Sequence, residues 1–161
     1  VLATCGGFAV LVNVAGGFAW QTLAGGGPES WARMHAMNAT TCVTMSWAAL
    51  PVLSVTRGAA IINIGAGSAL LAGLGMGSYA ASKSAVHKLT ESLASELSGT
   101  DCTVNAVLPS IVDTPVNRSD MPDADFTQWV RPEALADVIV FLASPEARAI
   151  SGALIPVSRG Y

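Results

Sequence analysis

The sequence predicts an α/β fold, a parallel sheet with helices on both faces. Three observations carry that expectation. Short apolar runs of strand length alternate with longer stretches whose apolar residues recur every three or four positions. The short runs are continuous rather than alternating, as in strands buried on both faces. Charged residues make up only 12% against 52% hydrophobic, so more surface is covered than in an ordinary domain, where about a quarter of residues are charged. Strand and helix in strict alternation give parallel strands joined by crossover helices. The chain, with no internal repeat or linker, reads as one domain over 1–161.

Residues 10–14 form the first buried strand, followed by Gly16 and Gly17. Pro28-Glu29 opens a long helical stretch ending near Pro51, with proline in the first turn and an acid at the positive end of the dipole. Residues 59–64 are a second buried strand, and a Gly/Ala/Ser loop runs from 65 to 78. A helix starts around Tyr79, with Val86, Leu89, Leu93 and Leu97 on one stripe, Lys88 and Glu91 paired off it, and Gly99 as its stop. Residues 102–108 are a third strand, ended by Pro109, and 110–130 are irregular and polar. Pro132-Glu133 starts another helix with Leu135, Val138, Ile139 and Leu142 inward, and residues 154–157 are a last strand.

Several function classes are excluded. The uncharged stretches 1–28 and 58–82 are long enough to span a bilayer, but they are glycine-rich and their strongly apolar cores are only strand-length. No signal peptide with a basic region is found within the sequence. A net charge of −3 without a basic stripe argues against nucleic acid. Cys5, Cys42 and Cys102 lack metal-ligand spacing and read as reduced thiols of a cytoplasmic protein, and no metal site is expected.

In such folds ligands bind beyond the carboxyl ends of the strands. There, Tyr79-Ala80-Ala81-Ser82-Lys83 sets a phenol and an ammonium at i and i+4, on one helix face. A nearby cation favours the phenolate, so a tyrosine held this way serves as general acid or base. The bland alternative is a surface Tyr beside a solvated Lys. Context favours chemistry, because the motif follows a buried strand and a glycine-rich loop.

In order and spacing these pieces resemble the short-chain dehydrogenase/reductases. Asn13-Val14-Ala15-Gly16 is similar to the family's Asn-Asn-Ala-Gly turn, with Val14 in place of the second Asn. Tyr79 and Lys83 match the catalytic pair, and Asn38 matches the Asn that supports a water chain to the Lys. Pro109 to Thr114 matches the segment that holds the nicotinamide end, with Ser110 replacing a Gly. The resemblance implies a Rossmann-type doubly wound sheet. It implies NAD or NADP as cofactor, contacted by Asn13, Ala15, Gly16, Ile64, Tyr79, Lys83, Pro109, Val112 and Thr114. It also implies hydride transfer to a C=O or C=N group of a small-molecule substrate, with Tyr79 as proton donor. Family members form homodimers or homotetramers through the helices around the site. Trp31, Met34, Met45 and Trp47 would then supply apolar interface, or else face the sheet.

Two departures qualify the match. The family's catalytic Ser falls at Ala66; Ser68 is an alternative hydroxyl, more simply read as bonded to backbone. The N-terminal strands and the glycine-rich turn that cradles the pyrophosphate are missing, since Gly25-Gly26-Gly27 stands in the wrong place. Ala15-Gly16-Gly17-Phe18-Ala19, Gly77-Ser78-Tyr79, Ala85-Val86-His87, the run from Asp113 to Arg118, that from Met121 to Phe126, and Trp129 resemble the dihydropteridine reductase branch, which also lacks the Ser. That branch implies a pterin-like substrate, whose delocalised acceptor needs fewer hydrogen-bond donors than a ketone. Phe18 and Ala66 would face it, Phe18 by stacking unless it is merely a core aromatic. His35 and His87 read as packing or surface residues, and the charges of Arg118, Asp120, Asp123 and Asp125 as a solvated substrate loop. Competing readings are a silent dinucleotide-binding protein, motivated by Ala66, and an assembly partner, motivated by the missing N-terminal portion.

Overall fold

A computed structural model describes residues 4 and 6–159; Cys5 lies outside the described residues. Four parallel strands form one sheet in sequential order: β1 (Val10–Asn13), β2 (Ala59–Ile64), β3 (Cys102–Pro109) and β4 (Leu154–Val157). Between β1 and β2 run α1 (Leu23–Met34), a π-helical segment (His35–Thr40) and α2 (Thr41–Leu53). Helix α3 (Gly77–Glu96) joins β2 to β3, while α4 (Pro115–Asp120) and α5 (Pro132–Ala143) join β3 to β4.

The sheet is a partition, and β2 shows why its sequence is continuously apolar. Ala59 and Ile61 face a core built with Ala49 and Leu53 of α2 and Leu93 and Leu97 beside α3. Ala60 and Ile62 face the opposite core, where Leu142, Leu135, Val138 and Ile139 of α5 pack with Val107. A strand covered on both sides has no position for a solvated side chain.

The predicted elements need four adjustments. Residues 10–14 do not form a strand buried on both faces: β1 is the edge of the described sheet, and Val10 and Val14 are exposed. The stretch expected to open at Pro28 has an extra turn before it, capped by Thr22, whose side chain accepts from the Gly25 amide, and a break at Gly27 (φ 53°). It runs to Leu53, through Pro51. On α3 the buried stripe includes Ser82, Lys83, His87 and Thr90, and Leu89 is only half-buried. Gly99 is not in a left-handed conformation, and the helix ends through Leu97, whose amide donates to the Leu93 carbonyl. The Lys88–Glu91 pair forms at 2.6 Å on the exposed face.

Candidate active site

The carboxyl ends of β1, β2 and β3 and the first turns of α3 converge on one region. Its floor is a buried polar network. Asn13 and Asn63 are register partners on adjacent strands, and the Asn13 amide donates to Asn63 Oδ1 at 2.8 Å and to Ser46 Oγ at 3.1 Å. Asn63 in turn donates to Thr90 Oγ1 at 2.8 Å, and Thr90 donates to the Val86 carbonyl. The Cys42 thiol donates to Asn63 Oδ1 at 3.3 Å, and burial pushes its pKa up to about 11. Satisfied groups of this kind fix register, because a slip would strand several buried polar atoms at once.

Above this floor, the π-helical segment presents Asn38, which is 1% exposed. Its amide clamps the main chain of Gly17, donating to the carbonyl at 3.0 Å while Oδ1 accepts the N–H at 2.9 Å. The same amide nitrogen donates to Ser82 Oγ at 2.9 Å, and Ser82 donates to the Tyr79 carbonyl. The loop after β1 is thus tied to the first turn of α3. A β-carbon on Gly16 would lie 2.6 Å from Asn38 Oδ1 and 3.4 Å from Lys83 Nζ. Wide π turns recur where a helix presents a functional group.

Lys83 is buried, and its ammonium donates to the Ile64 carbonyl at 2.8 Å. Tyr79 is half-buried, and the Phe18 ring stands edge-on to it at 5.0 Å. Lys83 does not lower the pKa of Tyr79 here, as the spacing suggested. Burial raises the phenol above its ordinary value and lowers the ammonium below its own, with the buried Cys42 partly opposing the latter. One of the ammonium's three N–H groups goes to the Ile64 carbonyl, and desolvation prevails on both groups.

Ala66 is buried, and its N–H donates to His87 Nε2 at 3.4 Å. On the third strand's side, Val112 bridges to Val130, its carbonyl accepts from Asn117 at 2.7 Å, and Thr114 caps α4. Arg118 is exposed, as a solvated loop would have it, but it is paired. It makes two hydrogen bonds to Asp113, 2.6 and 2.8 Å long, and lies over the Phe126 ring. Phe18, Trp20, Leu70, Leu71 and Leu74 give the region an exposed apolar rim. His35 is exposed, whereas His87 is buried. Sequence reasoning missed Ser82 and the His87–Ala66 contact, since neither leaves a motif.

The residues fit the nicotinamide ribose end of a dinucleotide. Among the described residues the Lys83 ammonium has one acceptor and the Tyr79 hydroxyl has no partner. Both therefore keep hydrogen-bonding capacity for vicinal hydroxyls, and residues 14–16 are exposed.

A family profile described as enoyl-(acyl carrier protein) reductase matches residues 1–161. The chain belongs to the short-chain dehydrogenase/reductase family. This is a family of NAD(P)-dependent oxidoreductases, with the Rossmann-type sheet seen here. Among similar relatives, 3-oxoacyl-(acyl-carrier-protein) reductase of Vibrio harveyi is 30% identical over 164 residues, 97% of this chain and 67% of that protein. Galactitol 2-dehydrogenase of Rhizobium johnstonii is 34% identical over 169 residues, 94% of this chain and 64% of that protein. A solved short-chain dehydrogenase/reductase from Brucella melitensis superposes with a TM-score of 0.89 at 27% identity, covering 97% of this chain and 66% of its own. An angucycline C-6 ketoreductase solved with NADP superposes at 0.83 with 32% identity, covering 96% and 63%. This family member thus spans about two thirds of the length of its relatives. Among the described residues, no helix is long and apolar enough to cross a membrane.

Proposed function

We propose that the protein reduces a C=O or C=N group of a flat, pterin-like small molecule in the cytoplasm, with Tyr79 as proton donor. The observation that carries this reading is the Tyr79 hydroxyl, unpartnered among the described residues, one helical turn from the buried Lys83 ammonium. NAD(P)H, when bound, supplies the hydride. Lys83 and Tyr79 would hold the ribose hydroxyls, with Asn13, Ala15, Gly16 and Ile64 beside them, and Pro109, Val112 and Thr114 would take the nicotinamide end. The phenol then gives its proton to the reduced group, and burial, by raising its pKa, keeps that proton in place beforehand. Asn38 holds the β1 loop against the catalytic helix while this happens.

The substrate class follows from Ala66 and Phe18. A ketone becomes an alkoxide on hydride attack and gains from two donors, but Ala66 has no hydroxyl to offer. A conjugated acceptor spreads the charge and manages with one. Phe18, 56% exposed and already against Tyr79, offers a ring surface for a flat molecule. The protein works as a homodimer or homotetramer: Trp31, Met45 and Trp47 are exposed and available for an interface, whereas Met34 belongs to the core. The resemblance of the 113–129 run to dihydropteridine reductase supports the same substrate.

The test is oxidation of NADH and NADPH in the presence of a quinonoid dihydropterin, a ketone and a quinone. Turnover with the pterin, lost in Tyr79→Phe with cofactor binding retained, is the expected result. Unchanged turnover in that variant would sink the mechanism. A second reading, a silent dinucleotide-binding protein, is favoured by Ala66 and gains if the cofactor binds but none of the three acceptors is reduced.

A further inference from the structure

Four side chains of α3 grip the end of β2 and the loop beyond it. Thr90 accepts from Asn63, Lys83 donates to the Ile64 carbonyl, and Ser84 donates to the Ala69 carbonyl at 3.0 Å. The fourth is His87, which is 3% exposed and lies one turn beyond Lys83. Its Nε2 accepts the Ala66 N–H, and its ring occupies the space a side chain at position 65 would need. A β-carbon on Gly65 would sit 2.5 Å from Nε2 and 2.8 Å from Cδ2. The Gly65 amide meanwhile donates to the Val107 carbonyl at 2.9 Å, continuing the β2–β3 ladder one residue past the strand.

We propose that His87 is a positioning residue for the reduction: its Nε2, by accepting the Ala66 N–H, holds the hydroxyl-less end of β2 at a set height against Tyr79 and Lys83. This rests on the oxidoreductase reading above. Only an imidazole unprotonated at Nε2 can accept that N–H; a protonated ring would turn a donor toward a donor. Burial favours the neutral form. Of the charged groups around the ring, Lys83 and Lys88 also favour it and Glu91 opposes. Because position 66 has no hydroxyl to meet the substrate, orientation falls on Tyr79 alone. A small shift of the β2 end relative to α3 then misplaces the one donor the reaction has.

The test compares His87→Leu, which keeps bulk without an acceptor, with His87→Gln, whose amide oxygen can reach the Nε2 position. Turnover is followed with NAD(P)H and a quinonoid dihydropterin, and the Ala66 amide and His87 ring nitrogens by 15N NMR. We expect His87→Leu to lower kcat about ten- to a hundredfold with the cofactor KM within about twofold, and His87→Gln to recover most of the loss. The wild-type spectrum should show an unprotonated Nε2 and an Ala66 amide that shifts in the Leu variant and returns in the Gln variant. Wild-type kcat in His87→Leu, equal losses in Leu and Gln, or an unmoved Ala66 amide would overturn the proposal. If the wild type reduces nothing, the oxidoreductase reading fails separately. The ring-nitrogen and Ala66 signals then show whether the contact exists, and a protonated Nε2 refutes it.

Discussion

Replacing Asn63 with leucine probes the polar floor directly. Asn63 is fully buried, and its side chain bonds Asn13 and Thr90 at 2.8 Å each, with the longer Cys42 contact besides. Leucine has nearly the same shape, so little cavity forms. Two good hydrogen bonds disappear, at about 1 kcal/mol net each. Asn13 keeps only Ser46 for an amide that had two acceptors, which costs about a further 1 kcal/mol for the stranded N–H. Thr90 loses little, because its own proton already goes to the Val86 carbonyl. The sum is about 3 kcal/mol. With a urea m-value of about 2 kcal/mol/M, the unfolding midpoint should fall by about 1.5 M at unchanged m. Thr90→Val combined with Asn63→Leu should cost less than the sum of the two single changes, since they share a bond. A midpoint shift under about 0.3 M, or strict additivity, would refute the claim that this network sets the register of β1 on β2.

Two further outcomes follow from the site. Asn38→Leu removes both bonds to Gly17 and the one to Ser82. It should cost about 2 kcal/mol, read as a Tm lower by about 4–8 °C, with faster amide exchange confined to residues 16–18; unchanged exchange there would count against the clamp. The pKa of His87 is held below its ordinary 6.5, chiefly by burial, so the unfolded chain binds that proton more readily than the fold does. The resulting stability is present above about pH 6.5 and is lost as pH falls below it. Urea midpoints between pH 7.5 and 5 should show this slope in the wild type and a shallower one in His87→Leu.

The departures from expectation have particular causes. Continuous apolar runs reveal a strand but not its neighbours, so residues 10–14 carry the same signal as residues 59–64 although β1 lies at the edge of the described sheet. The i, i+4 spacing of Tyr79 and Lys83 correctly puts them on one face. It says nothing of the Ile64 carbonyl that takes the ammonium, nor of the burial that raises the phenol. His87 reads as ordinary helix packing, because a histidine's partner 21 residues away leaves no periodic trace.

The sequence by itself determined the alternation of strands and helices, the two-sided burial of β2 and β3, and the family to which the Tyr79–Lys83 pair and the 13–16 turn belong. These are matters of local order and period, which survive in one dimension. Only the tertiary structure decided that Asn13 meets Asn63, that Asn38 clamps Gly17, and that α3 holds the end of β2 through Lys83, Ser84, His87 and Thr90. Those contacts join residues distant in sequence. Their partners are chosen by the need to satisfy every polar group the packed core has taken out of water.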